Sequence, residues 1–217
     1  MSIETELKLA LEPADTDAAA AFFTRLVGQP GQPVRLRNIY FDTPDETLAG
    51  ARSALRLRET PEGWLQTLKS GGSAQQGLHR RHEWEMPVAG EALELDALLK
   101  ICDDAQAASV LRATASSLQP IFRTDFVRQL WRFRDGSADI EIALDSGEVS
   151  AQCGGRRGVL AISEVELELK SASTSDASGA AALHALAARA RAAIPRLQAA
   201  DVSKAERGYR LRRQLCS

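Results

Sequence analysis

Apolar and polar residues alternate over residues 2–12, so this segment is predicted to form a β-strand. Isoleucine and leucine occupy odd positions, whereas the even positions include Glu4, Glu6 and Lys8. A period of two places successive side chains on opposite faces of a strand. The first strand therefore has one apolar face and one charged face.

Eight further segments show strand patterns, and turn residues separate them. Glycine is frequent between residues 71 and 77, which predicts a flexible loop, and Asp135-Gly136 predicts a tight turn. The further strands are predicted over residues 35–42, 54–59, 64–69, 80–88, 121–134, 138–145, 148–153 and 160–170.

Helical periodicity occurs in four places, and a serine- and threonine-rich linker over residues 171–178 precedes the third of them. The helices are predicted over residues 18–27, 91–115 (with a break into two), 180–194 and 203–215. Many antiparallel strands with a few helices outside them predict an α+β fold in one domain, residues 1–217.

The polar faces of the predicted strands carry an unusual concentration of charge. Glutamates at alternate positions on one strand face repel one another unless cations lie between them. A closed barrel removes this repulsion when acids line some lumen strands and Arg or Lys line others, with the apolar faces outward under helices. The faces concerned contain Glu4, Glu6 and Lys8; Arg56 and Arg58; Arg81, Glu83 and Glu85; Thr124, Arg128 and Arg132; Asp139, Glu141 and Asp145; and Glu164, Glu166, Glu168 and Lys170.

Such a lumen predicts a binding site for the metal complex of a polyphosphate. Clustered carboxylates provide the oxygen ligands that Mg²⁺ and Mn²⁺ prefer, and clustered Arg and Lys bind phosphate oxygens through charge-assisted hydrogen bonds. A metal there neutralises phosphate charge and positions an attacking water. Asp139 and Glu141 lie beside a predicted turn, and we interpret them as surface residues.

Composition narrows the class of protein further. The chain has 27 basic and 29 acidic residues, and its net charge of −2 argues against bulk electrostatic capture of nucleic acid or anionic membrane. The three cysteines have no metal-like spacing, so we predict neither a disulfide framework nor a zinc site. No signal-peptide pattern or apolar run of membrane-spanning length is present, which predicts a soluble protein in the reducing cytoplasm.

Short motifs in a fixed order carry a family resemblance. Glu4-Thr-Glu6-Leu-Lys8 fits the pattern ExExK at the start of the chain. The motifs that follow are Asn38-Ile-Tyr-Phe-Asp-Thr-Pro-Asp45, Ala54-Leu-Arg-Leu-Arg58, Thr67-Leu-Lys69, Gly77-Leu-His-Arg-Arg81, Thr124-Asp-Phe-Val-Arg128, Ile140-Glu-Ile-Ala-Leu-Asp-Ser-Gly-Glu148, Glu164-Val-Glu-Leu-Glu168 and Ser203-Lys-Ala-Glu-Arg-Gly-Tyr209. Together they resemble the CYTH superfamily, also called triphosphate tunnel metalloenzymes, and within it the bacterial inorganic triphosphatase branch.

The resemblance implies a tunnel of eight antiparallel strands surrounded by helices, with roles for its charged residues. Glu4, Glu6 and Glu168 would bind a divalent metal, Mg²⁺ or Mn²⁺. Glu166, with Asp145 and either Glu83 or Glu164, would hold a second ion or order the attacking water. The residues implied to bind phosphate oxygens are Lys8, Arg56, Arg58, Lys69, Arg81, Arg128 and Lys204, and those implied to be catalytic are Lys8, Glu166 and Arg58.

The terminal helix carries Lys204, so it is implied to act as a plug at one tunnel mouth. Lys170, Arg132 and Arg123 have weaker motif support and are not assigned a role. Members of the branch often continue into a histidine-rich helical domain, and this sequence ends at Ser217 without one. It is therefore expected to be either a stand-alone protein or a piece of a longer one.

The implied activity is hydrolysis of a phosphoanhydride bond in inorganic triphosphate, giving pyrophosphate and phosphate. Two other activities of the superfamily remain open, those of a class IV adenylyl cyclase and a thiamine triphosphatase. A non-catalytic polyphosphate-binding module is the third alternative. The expected partner is a small-molecule substrate, with no nucleic acid or membrane, and the protein is expected to be a monomer or a homodimer.

Overall fold

The alternating segments form eight antiparallel strands that close into a barrel in the computed structural model, which describes residues 2–136, 138–172 and 176–217. The strands follow one another around the ring in the order β5-β4-β3-β2-β6-β7-β8-β1, and pairing between β1 and β5 closes it. They are β1 Ser2–Ala10, β2 Gln32–Asp42, β3 Ser53–Thr60, β4 Gly63–Gln75, β5 Leu78–Val88, β6 Gln119–Asp135, β7 Ala138–Cys153 and β8 Arg156–Ala172. A short strand β9, Gln198–Ala199, adds to β1 outside the ring.

The described residues form six α-helices around the barrel, and the break predicted within residues 91–115 is present as the gap between α3 and α4. The first helix ends where Gly28 adopts a φ of +82°, a left-handed conformation that glycine takes without steric cost. The helices are α1 Thr16–Val27, α2 Thr47–Gly50, α3 Leu95–Ile101, α4 Ala105–Thr114, α5 Asp176–Ala193 and α6 Lys204–Cys216. None of these described helices has both the length and the apolar character needed to cross a membrane.

Two predicted boundaries inside the sheet are wrong. The loop predicted for residues 71–77 is mostly strand, because β4 continues to Gln75 through a bulge at Gly71 and Gly72. Both glycines have positive φ, so they bend the strand without ending it. The strands predicted for 138–145 and 148–153 are one strand, β7.

Smaller differences concern Gly147 and the ends of two elements. At Gly147 a side chain would overlap the backbone of Asp125 and Phe126, so this glycine permits close strand pairing and marks no turn. The first strand, predicted to reach residue 12, ends at Ala10. Part of the linker predicted over 171–178 lies outside the described residues.

In the described residues two apolar clusters lie on outward strand faces, as the alternation predicts, and a third, which includes Tyr40, Phe122 and Phe126, lies on the lumen side against α6. On one side of the barrel, Ile142 and Leu167 pack beneath α1 and α5, where Phe23 and Leu186 are fully buried. On the opposite side a separate cluster packs β3, β4 and β5 against α3 and α4. Because apolar residues fill the outside, the charged faces point into the lumen.

The prediction that no disulfide forms is wrong for one pair of cysteines. Cys153 and Cys216 are joined by a disulfide, with their Cα atoms 5.3 Å apart. The two residues are 63 positions apart in the sequence, and the fold brings the end of β7 to the end of α6. Spacing along the chain carries no signal for such a pair, whereas Cys102 is a buried free thiol.

Reduction of the disulfide is expected to lower the free energy of unfolding by about 4 kcal/mol, because a cross-link across a loop of this length restricts the unfolded chain. Urea unfolding of the oxidised protein with and without dithiothreitol measures the difference. Cys216→Ser should match the reduced wild-type protein and should not respond to dithiothreitol. Equal unfolding midpoints for oxidised and reduced wild type would contradict the prediction.

Candidate functional site

The barrel encloses a cavity of about 140 Å³ whose lining is almost entirely charged. Seven glutamates and eight lysines or arginines line it, with Tyr40, Ala54, Ser203 and Ala205 as the remaining residues. The charged residues are Glu4, Glu6, Lys8, Arg56, Arg58, Lys69, Arg81, Glu83, Glu85, Arg128, Glu141, Glu166, Glu168, Lys170 and Lys204.

The even face of β1 places its three charged residues in the lumen, next to cations from neighbouring strands. Both carboxylate oxygens of Glu4 accept hydrogen bonds of 2.6 Å from Lys69 Nζ. Glu6 accepts one of 2.9 Å from Arg81 and lies 3.0 Å from Lys8 Nζ. Burial alone would raise the pKa of Glu6, but Lys8, Lys69 and Arg81 outweigh it and lower that pKa to about 2. Glu6 is therefore a buried, ionised oxygen donor.

Glu166 lies at the centre of a second, deeper charge cluster. Lys8 donates a short hydrogen bond to its Oε1, Lys204 Nζ lies 2.9 Å from the same atom, and Arg128 donates to Oε2 at 2.5 Å. Burial opposes ionisation of Glu166, yet Lys204, Lys8 and Arg128 hold its pKa well below the ordinary value. Since its oxygens accept from three cations, Glu166 orients the basic side chains around it.

Asp145 pairs with two cations of this cluster, Arg128 and Lys204. It is fully buried, and its two oxygens accept a fork of hydrogen bonds from Arg128 at 2.8 and 2.7 Å. Lys204 Nζ is 2.6 Å away. Oxygens of Asp145, Glu164 and Glu166 all lie within 4.8 Å of one another, a spacing that a metal ion could bridge. In this structure the same oxygens are paired with lysine and arginine.

Facing these acids is a wall of arginines on β3 and β6. Arg56 lies 3.5 Å from Glu85, and Arg58 donates to Asn38 at 2.9 Å. Burial and repulsion by Arg56 and Arg128 lower the pKa of Arg58 to about 10. Mutual repulsion of buried cations is relieved when a polyanion binds between them. The wall is thus suited to a phosphate chain.

The terminal helix α6 closes one end of the tunnel, as its lysine implied. Ser203 caps it by accepting from Glu206 N at 3.2 Å, and Lys204, in the first turn, reaches the deep cluster. Gly208 lets the helix approach Phe122 more closely than a side chain would allow. We call the end closed by α6 the plug end. The opposite end, where Lys170 lies, is called the open mouth.

Polar anchors fix α6 further along its length. The hydroxyl of Tyr209 donates to Asp42 at 2.8 Å. Glu46, on the loop before α2, accepts from Arg212 at 2.8 Å and from Arg213 at 2.6 Å. With the disulfide at Cys216, the helix is attached to the barrel from its first residue to its last.

The structure brings the predicted site residues together. Of the twelve residues predicted to bind metal, bind phosphate or be catalytic, eleven line the cavity, and Asp145 lies behind Arg128 and Lys204. Of the two alternatives for the second ion, Glu83 lines the cavity and Glu164 pairs with Lys204. The interpretation of Glu141 as a surface residue is wrong, since Glu141 is buried and lines the cavity. The predicted turn beside Glu141 lies at the tunnel mouth. Glu141 has the same parity as Asp145, and this parity correctly indicated that its side chain faces the lumen. Lys170, to which no role was assigned, also lines the cavity.

Glu4, Glu6 and Glu168 could hold a divalent cation. Glu6 and Glu168 are directly opposite in the pairing of β1 with β8, and Glu4 is close enough to Glu168 to raise its pKa in addition to the larger effect of burial. Carboxylate oxygens that face a shared lumen are the donors that Mg²⁺ and Mn²⁺ prefer. The donor type of this set therefore fits such an ion, whereas among the described residues the acids whose oxygens already lie within 4.8 Å of one another are Asp145, Glu164 and Glu166.

Comparison with known proteins gives matches over most of the chain. The family model described as the CYTH domain matches residues 2–209. The inorganic triphosphatase of Haemophilus influenzae is 33% identical over 173 residues, which cover 80% of this chain and 47% of the relative. The chain thus spans about half the length of that relative.

Two solved structures share the fold at low sequence identity. A candidate adenylyl cyclase from Hippeastrum, described as having a dominant triphosphatase activity, is 18% identical with a TM-score of 0.59, covering 99% of this chain and 97% of its own. A candidate adenylate cyclase from Bacillus halodurans is 19% identical with a TM-score of 0.56, covering 95% and 98%. Since the family model spans all eight barrel strands and the first half of α6, the chain belongs to the CYTH family.

Proposed function

We propose that this protein hydrolyses inorganic triphosphate to pyrophosphate and phosphate with the help of Mg²⁺ or Mn²⁺, as one or two ions. The observation that carries the proposal is the enclosed lumen in which an acidic wall faces a basic wall. Acids alone would suit a free cation and bases alone a free anion, whereas both together suit a metal–polyphosphate complex. In the reaction, P₃O₁₀⁵⁻ and water give P₂O₇⁴⁻, HPO₄²⁻ and a proton.

The basic wall would hold the substrate and stabilise the charge that develops on it. Lys8 and Arg58, with Arg56 and Arg128 beside them, would donate to the phosphate oxygens from fixed positions. Lys69, Arg81 and Lys204 would hold the remaining oxygens along the tunnel. Because these donors are already oriented by carboxylates, little reorganisation is needed when the substrate binds.

The acidic wall would hold the metal and the water. Glu4, Glu6 and Glu168 are the proposed ligands, and a bound ion would neutralise phosphate charge and make the phosphorus more susceptible to attack. Glu166 and Asp145 stay predicted ligands of a second ion. Glu166 would also accept a hydrogen bond from the attacking water, since its low pKa keeps it ionised.

The charged lining of the cavity favours an inorganic phosphate chain over a nucleotide or thiamine triphosphate, since Tyr40 is the sole aromatic group among the described residues that line it. The cavity has a volume of about 140 Å³, and a second cavity of about 430 Å³ shares Ala54, Lys69, Arg81, Ser203 and Ala205 with it. The choice of substrate therefore rests on the charge of the lining and not on its volume. The relative from Haemophilus influenzae, named an inorganic triphosphatase, supports the same choice. We place the reaction in the cytoplasm, where reductants would act on the bond between Cys153 and Cys216, and propose that the protein acts as a monomer or homodimer.

A substrate panel with Mg²⁺ and Mn²⁺ tests the proposal. Tripolyphosphate, ATP and thiamine triphosphate are compared by phosphate release, with cyclic AMP measured in parallel. We expect kcat/KM for tripolyphosphate to exceed that for ATP by more than about tenfold, a difference in activation free energy of roughly 1.4 kcal/mol. Preferred turnover of ATP, formation of cyclic AMP, or tight tripolyphosphate binding without turnover under any divalent ion would contradict it.

A further inference from the structure

Four charged side chains meet at the open mouth of the tunnel, and we call Arg132, Glu141, Glu168 and Lys170 the mouth cluster. Lys170 Nζ lies 2.7 Å from Glu168 Oε1 and 3.5 Å from Glu141 Oε1. The other oxygen of Glu141, Oε2, lies 2.8 Å from Arg132. Lys170 therefore stands between two carboxylates and makes its shorter contact with Glu168.

Strand register brings the mouth cluster together. Arg132, Glu141 and Glu168 are directly opposite one another across β6, β7 and β8. The pairing of β7 with β8 then shifts, with Leu169 opposite Ile140 and Ser171 opposite Asp139, so it skips Lys170. A bulge of this kind at the rim of a barrel redirects a side chain, here into the mouth.

The cluster needs a cation. Glu168 is directly opposite Glu6 in the pairing of β1 with β8 and directly opposite Glu141 in the pairing of β7 with β8, so carboxylates lie on both sides of it. Without the Lys170 ammonium, Glu168 would lose the nearest cation to its carboxylate, because Arg132 pairs with Glu141 and Lys69 pairs with Glu4. Lys170 thus neutralises the carboxylate of Glu168, as a divalent ion bound to Glu168 would also do.

We propose that Lys170 is a resident cation that moves from Glu168 to Glu141 when a metal binds at Glu168, and that Glu141 is the positioning residue that receives it. The inference rests on the proposed metal site of Glu4, Glu6 and Glu168. Its geometric basis is Glu141 Oε1, which Lys170 Nζ reaches as a full hydrogen-bond partner by moving less than about 1 Å. Glu141 would therefore set the affinity for the metal without contacting it.

Exchange predicts a specific pattern of metal affinities. Lys170→Met removes the competing ammonium, so Mn²⁺ should bind about tenfold more tightly. Glu141→Gln leaves the displaced ammonium without its acceptor, so Mn²⁺ should bind about tenfold more weakly. In the Lys170→Met variant no ammonium can move to residue 141. Adding Glu141→Gln to that variant should therefore change the Mn²⁺ affinity by less than about threefold.

The test is a double-mutant cycle measured by calorimetric titration of the full chain with MnCl₂ alone. Asp139→Asn, on the same strand and at the same rim, is the matched control for loss of one negative charge, because Asp139 pairs with Arg134 and not with Lys170. It should change the affinity by less than about threefold in both backgrounds. Thermal unfolding verifies that each variant is folded, and Lys170→Gln serves if Lys170→Met is not.

Each outcome decides between the two proposals. If Glu141→Gln weakens Mn²⁺ binding only when Lys170 is present, the result supports the movement of Lys170 from Glu168 to Glu141. An equal effect with and without Lys170 means that Glu141 acts only as a charge, which overturns the exchange and leaves the metal site intact. Absence of any Mn²⁺ binding by the wild-type protein would overturn the metal site and the exchange together.

Discussion

Glu6→Gln is expected to lower kcat for tripolyphosphate by about 10²- to 10³-fold, comparable to the loss of one preorganised charge-stabilising group from an active site. The amide keeps the shape of the carboxylate but removes the charge that a divalent ion needs. It also removes the carboxylate that accepts from Arg81 and one of the two carboxylates that pair with Lys8. Both effects act on the proposed chemical step, so kcat should fall more than KM rises. Initial-rate kinetics with saturating Mn²⁺ measure the two constants.

Glu148→Gln is the matched control for this change. Glu148 is also a glutamate on a barrel strand, but its side chain is 44% exposed on the outer face, next to Arg157. Its kcat should stay within about twofold of wild type, because exposed ion pairs contribute little. Near-normal turnover by folded Glu6→Gln would remove Glu6 from the proposed metal site, and an equal loss in both variants would mean that the effect is not specific to the lumen.

Asp145→Asn is expected to lower the free energy of unfolding by about 3–5 kcal/mol, the usual cost of breaking a buried ion pair from one side. Asp145 neutralises Arg128 through two hydrogen bonds and lies beside Lys204. With asparagine in its place, the two buried cations lose their main counter-charge. Urea unfolding at neutral pH measures the loss.

The chain contains a matched exposed pair. Arg134 and Asp139 join the same two strands with the same fork of hydrogen bonds, at 2.7 and 3.1 Å, but in solvent. Asp139→Asn should therefore leave the unfolding midpoint almost unchanged. A similar loss of stability in both variants would show that burial does not determine the strength of the Asp145 pair.

The Asp145 effect should also depend on pH in one direction. Burial alone would raise the pKa of Asp145, but Arg128 and Lys204 lower it below its ordinary value of 3.8. A carboxyl group with a lowered pKa in the folded state contributes stability above its unfolded pKa and loses it as the pH falls further. The difference in free energy of unfolding between wild type and Asp145→Asn should therefore become smaller below about pH 3.8.

Side-chain parity predicted the barrel and most of its lining from the sequence. Glutamates at alternate positions on β1 and β8 have no stable arrangement on a solvated sheet without cations, and a closed lumen supplies them. The same reasoning identified Arg56, Arg58 and Arg128 as the opposite wall. These inferences succeed because a period of two is a local property of the chain.

Features that depend on contacts distant in sequence were not predictable in this way. The bond between Cys153 and Cys216 depends on where α6 ends against β7. The position of Glu141 in the cavity lining was missed for a different reason, since proximity to a turn was given more weight than parity. The bulge that turns Lys170 into the mouth is a register shift between two strands, which one sequence does not reveal.

The closure of the ring by β1 makes assembly of the site depend on contacts of high sequence separation. β1 precedes its partners β5 and β8 in the chain, and Lys8 pairs with Glu166 across 158 positions of the sequence. Contacts of such high sequence separation form slowly because a long loop must close first. A nascent or partly folded chain therefore carries Glu4 and Glu6 apart from the other donors. The proposed binding of phosphate should therefore appear only when β1 has paired with both β5 and β8. Measuring that binding would report whether the barrel has closed.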